Sequence, residues 1–108
     1  MPALTPVVFH ILLALSDGPR HGYGILKDVL EQTGGALRLG PGTLYGSLQR
    51  LMDQGWVEEA ATPPDADERR RYYKLHRGGR AALRAEVDRM ASLVRVARGR
   101  RVAGPLEA

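Results

Sequence analysis

Hydrophobic residues recur at helical spacing through residues 42–55. Leu44, Leu48 and Leu51 fall on one stripe of a predicted helix. Gly55 can end this helix by adopting a left-handed conformation. The opposite side carries small and polar residues, namely Thr43, Gly46, Gln49, Arg50 and Asp53. Because this face lacks the Glu and Lys pairs that solvate a surface helix, it is suited to contact base edges in a DNA groove. Taken alone, the stretch also fits an ordinary surface helix with a small polar face.

The first predicted helix, at residues 6–15, is hydrophobic nearly all round. Thr5 supplies a capping hydroxyl, and Pro6 occupies the first turn, where its missing N–H costs nothing. Phe9 and Leu13 lie away from the main apolar stripe. A helix with two apolar sides must be covered on both, and in a chain this short we expect the second cover to be another subunit. Phe9 and Leu13 are therefore assigned to a dimer interface.

A second helix is predicted to open at His21-Gly22-Tyr23-Gly24 and to end at Gly34-Gly35. Its inward face is predicted to carry Tyr23, Leu26, Val29 and Leu30. Two glycines near its start cost roughly 1 kcal/mol each relative to alanine, which indicates close approach of a packed group or a phosphate. His21 is interpreted as a structural residue, because no other histidine has a spacing that would pair with it. Residues 36–39 are predicted to form a short strand.

Two further strands are predicted on either side of a polar loop that contains prolines. The first strand covers residues 56–61, the loop covers 62–68, and the second strand covers 69–75. Alternation places Tyr73 and Leu75 on one face of the second strand. Trp56 is interpreted as a core residue that holds the hairpin against the helices. Helices followed by a hairpin with arginines at its tip are typical of a winged helix-turn-helix, a mainly α fold with a small β-hairpin.

The last predicted helix starts at Arg77 and has apolar residues at the a/d spacing of a helical seam. These residues are Leu83, Val87, Met90, Val94 and Ala97. A helix beyond the compact domain cannot bury such a seam alone, so we expect it to pair with its mate in a homodimer or with the first helix. The first four residues of the seam are assigned to the dimer interface. The predicted organisation is a winged-helix domain at 1–76, a dimerisation helix at 77–98 and a disordered tail at 99–108.

Composition favours a polyanionic partner. The 108 residues include 16 Lys and Arg against 12 Asp and Glu, for a formal net charge of +4, and the pI is about 10.0. Six cations fall within twelve residues, namely Arg69, Arg70, Arg71, Lys74, Arg77 and Arg80. The longest apolar run is too short to span a bilayer and lacks the features of a signal peptide. With no cysteine in the chain, we expect one cytoplasmic domain without disulfide, metal site or cofactor.

Several segments, in their order and spacing, resemble the PadR family of bacterial transcriptional regulators. Within residues 5–85 they are His21-Gly22-Tyr23, Gly42-Thr43-Leu44-Tyr45, Leu48, Arg50-Leu51, Gly55-Trp56-Val57, Arg70-Arg71, Tyr72-Tyr73-Lys74-Leu75 and Gly79-Arg80-Ala81-Ala82-Leu83. The resemblance implies a dimeric winged-helix DNA-binding repressor, often released from its operator by a small phenolic or drug-like effector. The single terminal helix resembles the smaller branch of the family. Two positions depart from the family pattern: His76 replaces the usual threonine, and Gly46 stands where proline or another residue is common.

We expect a homodimer to place one helix 42–55 from each subunit in successive major grooves of double-stranded DNA. Thr43, Ser47 and Gln49 are the candidates for base edges. Arg50 is assigned to guanine or a phosphate, and Tyr45 to a phosphate oxygen.

Three consecutive arginines at the hairpin, Arg69, Arg70 and Arg71, are expected to hold phosphates or to enter the minor groove. They would supply affinity that does not depend on sequence. The alternative is a solvated strand edge whose charges only prevent aggregation.

Two other classes of function are weighed against DNA binding. A winged-helix protein-interaction module would use the same core, and only the charge of the exposed helix and hairpin argues against it. An enzyme is disfavoured, because three scattered histidines, no cysteine and no paired carboxylates leave no catalytic constellation.

Overall fold

The computed structural model describes residues 3–102, which form four helices and a three-stranded antiparallel sheet. In chain order the elements are α1 (Pro6–Ala14), β1 (Arg20–His21), α2 (Gly22–Gln32), α3 (Pro41–Asp53), β2 (Val57–Ala60), β3 (Tyr72–Leu75) and α4 (Arg77–Gly99). Strand β3 lies between β1 and β2 in the sheet. This architecture confirms the predicted fold class, a mainly helical winged helix with a small hairpin and a long final helix.

The helix ends follow local signals in the sequence. Thr5 caps α1 by accepting a hydrogen bond from the N–H of Val8 at 3.2 Å. At the end of α3, Gly55 has a φ of 77°. The N–H of Trp56 then donates to the carbonyl of Leu51 at 2.9 Å. A glycine with positive φ together with this hydrogen bond closes α3 at the predicted position.

The first strand of the sheet is not the one that the sequence predicts. Residues 36–39 form no strand, and β1 pairs with β3 instead, with Arg20 opposite Tyr73 and His21 opposite Tyr72. This pairing occupies the edge of β3 that is not taken by β2. The segment after α2 is held differently, because the Thr33 hydroxyl accepts a hydrogen bond from the N–H of Leu37 at 3.0 Å. The predicted strand at 36–39 is therefore wrong.

Strand β3 begins at Tyr72 rather than at the predicted Arg69. The Asp67 carboxylate accepts a hydrogen bond from the backbone N–H of Arg69 at 2.9 Å. The carbonyl of Asp67 accepts another from the N–H of Arg70 at 3.0 Å. These bonds form a turn, so the arginine run lies in the loop before the strand. Within β3, Tyr73 is buried as alternation predicts.

The core lies between the helices and the inner face of the sheet. It is formed by Ile11, Leu12, Ala14, Leu15, Ile25, Val29, Leu44, Leu48, Leu51, Val57, Tyr73 and Leu83. The predicted leucine stripe of α3 is thereby confirmed, and Trp56 packs against this core as predicted. Tyr23 was predicted to face inward, but its side chain is 65% exposed. Gly22 and Ile25 occupy the buried side of α2 instead, which rotates Tyr23 outward.

Helix α4 is anchored only through its first half. It has 23 residues and is therefore about 34 Å long. Its buried residues are Gly79, Ala82, Leu83 and Glu86. Arg89 donates two hydrogen bonds to the Glu86 carboxylate at 2.7 and 2.8 Å, and these bonds lower the pKa of Glu86. Leu83, assigned from sequence to the dimer interface, is instead buried against its own domain.

Beyond Glu86, α4 carries a stripe of exposed apolar side chains. They are Val87, Met90, Leu93 and Val94, with Val96 to one side. Phe9 and Leu13 of α1 are half-buried and pack against the core of their own domain. No helix within residues 3–102 is long and apolar enough to cross a membrane. The last six residues of the predicted tail lie outside the described range.

Helix α4 starts without a side-chain cap. His76 has the extended backbone of an N-cap residue, with φ −84° and ψ 159°, but its side chain makes no capping hydrogen bond. Its N–H donates to the carbonyl of Trp56 at 3.0 Å. Its buried Nδ1 has no hydrogen-bond partner among residues 3–102. The seating of α4 therefore depends on backbone packing rather than on a capping side chain.

Gly79 lies too close to the backbone of Trp56 to accept a side chain. A Cβ at this position would overlap the Trp56 carbonyl oxygen and lie 2.9 Å from the carbonyl carbon. We expect Gly79→Ala to lower the free energy of unfolding by about 1–3 kcal/mol, the usual cost of overpacking, despite the better helix propensity of alanine. Urea denaturation measures this difference.

Gly46→Ala is the matched control for Gly79→Ala, because both glycines lie inside a helix. A Cβ at Gly46 would meet only the Arg50 Nη1 atom, at 3.6 Å. We expect this variant to unfold at the same urea concentration as the wild type or at a higher one. Equal destabilisation by the two substitutions would show that the contact with Trp56 is not the cause.

Candidate nucleic-acid interface

The exposed face of α3 carries Thr43, Gln49 and Arg50, all on the side opposite the leucine stripe. Ser47 differs from them. It is only 2% exposed, and its hydroxyl accepts a hydrogen bond from Arg50 Nη2 at 3.2 Å. A buried hydroxyl cannot reach a base edge, so Ser47 is removed from the predicted set of base contacts. Its observed contact orients Arg50.

The side-chain amide of Gln49 is hydrogen-bonded to Asp53, one turn further along α3. The Nε2 atom of Gln49 donates to Asp53 Oδ1 at 3.0 Å. Both residues are exposed. Holding an amide in one orientation lowers the entropy cost of a directional contact with a partner. Asp53 therefore fixes the orientation of the Gln49 amide.

Tyr45 connects α3 to the start of α2. Its side chain is 49% exposed, and a Cβ at Gly22 would overlap its hydroxyl oxygen. The close approach that the glycines of α2 predict is thus confirmed at Gly22, where the approaching group is a tyrosine. Tyr45 also lies near Tyr73, whose pKa is raised by burial and then by Tyr45 and Glu59. Tyr73 therefore keeps its phenolic proton at neutral pH.

The wing consists of β2, β3 and the loop 61–71 between them. In this loop, Arg69 donates to Asp67 from Nε at 3.2 Å and from Nη2 at 3.1 Å. These side-chain bonds, followed by the bond from the Arg69 backbone, lower the pKa of Asp67. Arg71 Nη1 lies 3.4 Å from Glu59 Oε1. Two of the three wing arginines therefore already face a carboxylate.

Arg70 reaches the start of α2 instead. Its Nη1 atom lies 2.6 Å from Nε2 of His21. The ion pairs formed within residues 3–102 do not include Arg70. Its positive charge is thus directed at an imidazole rather than at a carboxylate.

His21 is the N-cap residue of α2, as expected for a structural residue. Its Nδ1 atom accepts a hydrogen bond from the N–H of Gly24 at 3.0 Å. The ring stacks on Tyr23 with centroids 6.4 Å apart and meets Tyr72 edge-on at 5.4 Å. Partial burial, followed by the charge of Arg70, lowers the pKa of His21. The lowered pKa favours the neutral imidazole.

A pocket of about 600 Å³ joins α2, α3 and the wing. It is lined by His21, Gly22, Tyr23, Tyr45, Arg69, Arg70, Arg71 and Tyr73. Guanidinium groups and hydroxyls are donors that proteins use to bind phosphate. Of the predicted site residues, the pocket brings together Tyr45 and the three arginines. Thr43, Gln49 and Arg50 lie outside it, on the exposed face of α3.

Sequence reasoning missed four members of this pocket, His21, Gly22, Tyr23 and Tyr73. They meet there because β1 pairs with β3, and two residues of strand carry no recognisable pattern. The one local signal was the pair of glycines at the start of α2, which indicated a close neighbour. Within residues 3–102 no three His, Cys, Asp or Glu side chains are grouped so that they could hold a metal ion.

These features define a winged-helix protein whose polar helix face adjoins a basic pocket. The model of the transcriptional regulator PadR-like family matches residues 11–85. The chain belongs to this family of transcriptional regulators.

One sequence relative and two solved structures illustrate what the chain resembles. An uncharacterised 37.1 kDa protein in a transposon of Streptomyces fradiae is 42% identical over 83 residues, which are 77% of this chain and 22% of that protein. A PadR family transcription regulator from Clostridium difficile is 23% identical and has a TM-score of 0.74 over 88% of this chain and 97% of that chain. Bacillus subtilis PadR in complex with operator DNA is also 23% identical, with a TM-score of 0.66 over 77% of this chain and 47% of that chain. This chain therefore spans less than a quarter of the transposon protein and about half of the Bacillus protein.

Proposed function

We propose that this protein is a transcriptional repressor that binds double-stranded DNA as a homodimer at an inverted-repeat operator. The observation that carries the proposal is the place of Tyr45, which belongs to α3 and lines one pocket with Arg69, Arg70 and Arg71. A helix face suited to bases and a cluster of cations suited to phosphates are therefore neighbours. The shared fold with Bacillus subtilis PadR, a protein solved with operator DNA, supports the proposal.

In the proposed complex, α3 of each subunit lies in the major groove and the wing contacts the flanking backbone or minor groove. Thr43 and Gln49 contact base edges, and Arg50 contacts guanine or a phosphate. Tyr45 and the wing arginines bind phosphates and supply affinity that does not depend on sequence. The two half-sites are expected about one helical turn apart, or a multiple of that distance, because a two-fold dimer presents its helices in that way.

The proposed dimer forms through α4 and α1. The stripe that begins at Val87 and continues through Met90 and Val94 is exposed, and exposed apolar stripes at heptad spacing pair with a second helix. Phe9 and Leu13 are half-buried, so each retains surface that a second subunit can cover. Pairing of these surfaces around a two-fold axis would hold two copies of α3 in fixed relation.

Release from the operator by a small aromatic or drug-like effector is part of the proposal and rests on the family resemblance. No residue of this chain is assigned to an effector. Double-stranded DNA as the partner favours a cytoplasmic location for the proposed repressor.

Gln49→Ala tests the face of α3 that is proposed to contact bases. Because Gln49 is exposed and bonded only locally to Asp53, we expect the free energy of unfolding to change by less than about 0.5 kcal/mol. Specific binding should weaken by about 1–3 kcal/mol per contact, and non-specific binding should stay unchanged. The measurement compares a duplex that the protein selects from a random pool with a scrambled duplex, at one salt concentration and alongside a thermal melt.

Gln54→Ala is the control for Gln49→Ala, since it removes the same amide from the exposed C-cap of α3. We expect it to leave specific binding unchanged. If Gln49→Ala lost the same affinity for both duplexes, Gln49 would be a contact that positions the protein without reading bases. If Gln49→Ala greatly lowered the melting temperature, Gln49 would be a structural residue. If the wild type does not bind random duplex in a salt-dependent way and selects no duplex from the random pool, a protein-interaction module becomes the better assignment.

A further inference from the structure

A second pocket, of about 200 Å³, lies between α2 and the segment that leads from α2 to α3. The chain turns sharply after α2, where Gly34 and Gly35 have φ of 59° and 90°. The N–H of Gly35 donates to the carbonyl of Leu30 at 2.8 Å, and the N–H of Leu37 donates to the Thr33 hydroxyl at 3.0 Å. This turn brings the end of the segment beside α2. We call the space between them the α2 pocket, and it is lined by Tyr23, Leu26, Lys27, Leu30, Arg38 and Leu39.

The apolar part of the α2 pocket is formed by three leucines that keep free surface. Leu26 and Leu39 are half-buried, and each packs against the core on one side. Leu30 is also half-buried, but it is not among the side chains within residues 3–102 that pack against the core. Leu30 therefore has apolar surface that an occupant of the pocket would remove from water.

Two cations of the α2 pocket have no carboxylate partner. Lys27 and Arg38 are exposed, and the ion pairs formed within residues 3–102 include neither of them. The described residues that line the pocket include no Asp or Glu. Apolar walls with a few charged groups are the usual composition of a small-molecule site. A guanidinium can bind a carboxylate through two parallel hydrogen bonds, and a neighbouring ammonium adds a further donor.

The volume of the pocket limits the size of its occupant. Its 200 Å³ correspond to about seven water molecules of the liquid. An apolar cavity of about 150 Å³ can hold benzene. One six-membered ring that carries a single carboxylate therefore fits, whereas a larger ligand would have to extend into solvent.

We propose that the α2 pocket binds a small carboxylate with a compact apolar body. Lys27 and Arg38 hold the carboxylate, and the hydrocarbon lies against Leu30. The site adjoins the proposed DNA-binding surfaces, because Tyr23 lines this pocket and the pocket at the wing, and Leu39 directly precedes Gly40, the N-cap of α3. It thereby names a site and a chemical class for the proposed effector. That link rests on the proposed function, whereas binding of the carboxylate does not.

Three probe molecules separate the charged part of the site from the apolar part. Cyclohexanecarboxylate has both parts, cyclohexanecarboxamide lacks the charge, and acetate lacks the ring. In NMR titrations of the protein without DNA, cyclohexanecarboxylate should shift the amide resonances of residues 26–30 and 36–40 saturably, with a Kd of about 1 mM or lower. The amide should bind at least about tenfold more weakly, because it cannot form charge-assisted hydrogen bonds. Acetate should also bind more weakly, because it buries almost no hydrocarbon. Equal affinity for the first two probes, or no saturable shift in these residues, would overturn the proposal.

Lys27→Gln with Arg38→Gln tests the two cations. We expect this variant to bind cyclohexanecarboxylate at least about tenfold more weakly than the wild type and to bind the amide equally well. The control is Arg98→Gln with Arg100→Gln, which removes the same charge from exposed positions at the far end of α4. An equal loss in the control would show that the probe responds to net charge and not to this pocket.

Leu30→Trp tests the apolar part by filling the pocket. Because Leu30 does not pack against the core within residues 3–102, the melting temperature should stay close to that of the wild type. Both cyclohexane probes should lose their saturable shifts. A folded Leu30→Trp protein that binds them as the wild type does would place the ligand elsewhere. If this variant does not fold, the variant without the two cations still decides the question.

The effect on DNA is measured separately. Cyclohexanecarboxylate should weaken the binding of a random duplex by the wild type, because it neutralises two cations beside surfaces proposed to face phosphates. Leu30→Trp should show no such effect, and acetate at the same concentration is the ionic control. Duplex must weaken binding of the probe by the same factor. An unchanged duplex affinity would leave the site and overturn its link to release. If the wild type binds no duplex, the proposed function fails, and the titration without DNA still decides whether the α2 pocket binds a carboxylate.

Discussion

Replacing Arg69, Arg70 and Arg71 together with alanine is expected to weaken binding to operator and to random duplex by the same factor. The reason is that phosphate contacts carry no sequence information. The log-log salt dependence should flatten by about 0.9 for every phosphate that is no longer neutralised. Loss of one phosphate contact by Arg70 in each of two subunits would change the slope of the log-log plot by about 1.8. Loss of contacts by all three arginines in both subunits would change it by about 5.4, and in that case Asp67 and Glu59 must release their arginines in the complex. Anisotropy titrations of both duplexes over a salt series measure these quantities.

A second triple variant controls for net charge. Arg95, Arg98 and Arg100 are exposed near the far end of α4, and their replacement by alanine removes the same charge. Screening at physiological ionic strength acts over about 8 Å, so we expect this variant to bind like the wild type. An equal loss of affinity in the control would implicate net charge rather than the wing. A loss of affinity confined to the operator would mean that the wing arginines read sequence.

Glutamates in the exposed stripe of α4 are expected to convert a dimer into a monomer. Met90 is 36% exposed and Val94 is 44% exposed, so Met90→Glu with Val94→Glu should leave the fold intact. Like charges opposed across a two-fold interface cost roughly 3 kcal/mol or more, which weakens dimerisation by roughly 100-fold. Sedimentation velocity over a range of protein concentrations tests this result.

The control places the same two charges on the opposite side of α4. Ala85→Glu with Ser92→Glu alters exposed positions one heptad apart, and this variant should sediment as the wild type does. Truncation after Arg80 is also expected to give a monomeric or poorly soluble product. It removes Leu83 from the core as well, so it does not separate folding from assembly. A stripe variant that still forms a dimer would place the interface elsewhere.

The parts of the fold that could be predicted from sequence depend on neighbours in the chain. The leucine stripe of α3, the stop at Gly55 and the cap at Thr5 each need only residues within two turns. Burial alternates in β3 for the same reason, because successive side chains point to opposite faces of any strand. These features are local, and the structure confirms them.

The features that sequence reasoning missed depend on contacts between distant segments. Residues 36–39 have the composition of a strand, but the edge of β3 is taken by β1, which lies earlier in the chain. Tyr23 sits at a position that suits an inward side chain, yet α2 is buried through Gly22, Ile25 and Val29, and Tyr23 faces solvent. Neither the choice of strand at the edge of β3 nor the choice of buried side in α2 can be read from the sequence of one segment.

The candidate site was predictable in composition but not in its internal pairing. The arginine run and the polar face of α3 can be read from the sequence, because charge and helical period are properties of short stretches. Ser47 shows the limit of that approach, since a small polar residue beside an apolar stripe can be buried as easily as exposed. The pairing of Arg69 with Asp67 and of Arg70 with His21 depends on the path of the loop, which no periodicity describes.

Because α4 is seated on Trp56 at its first turn, a small change of angle there moves the far end of the helix by a larger distance. Gly79 fits against a backbone carbonyl that cannot move aside as a flexible side chain would, so the angle at which α4 leaves the domain is fixed at its base. In a dimer joined through α4, a tilt of about 10° at that base would displace the far end of the helix by about 6 Å. Such a displacement would change the separation of the two copies of α3. In the proposed complex, substitutions at this junction are therefore expected to alter the preferred spacing of the half-sites without changing a residue that is proposed to face DNA.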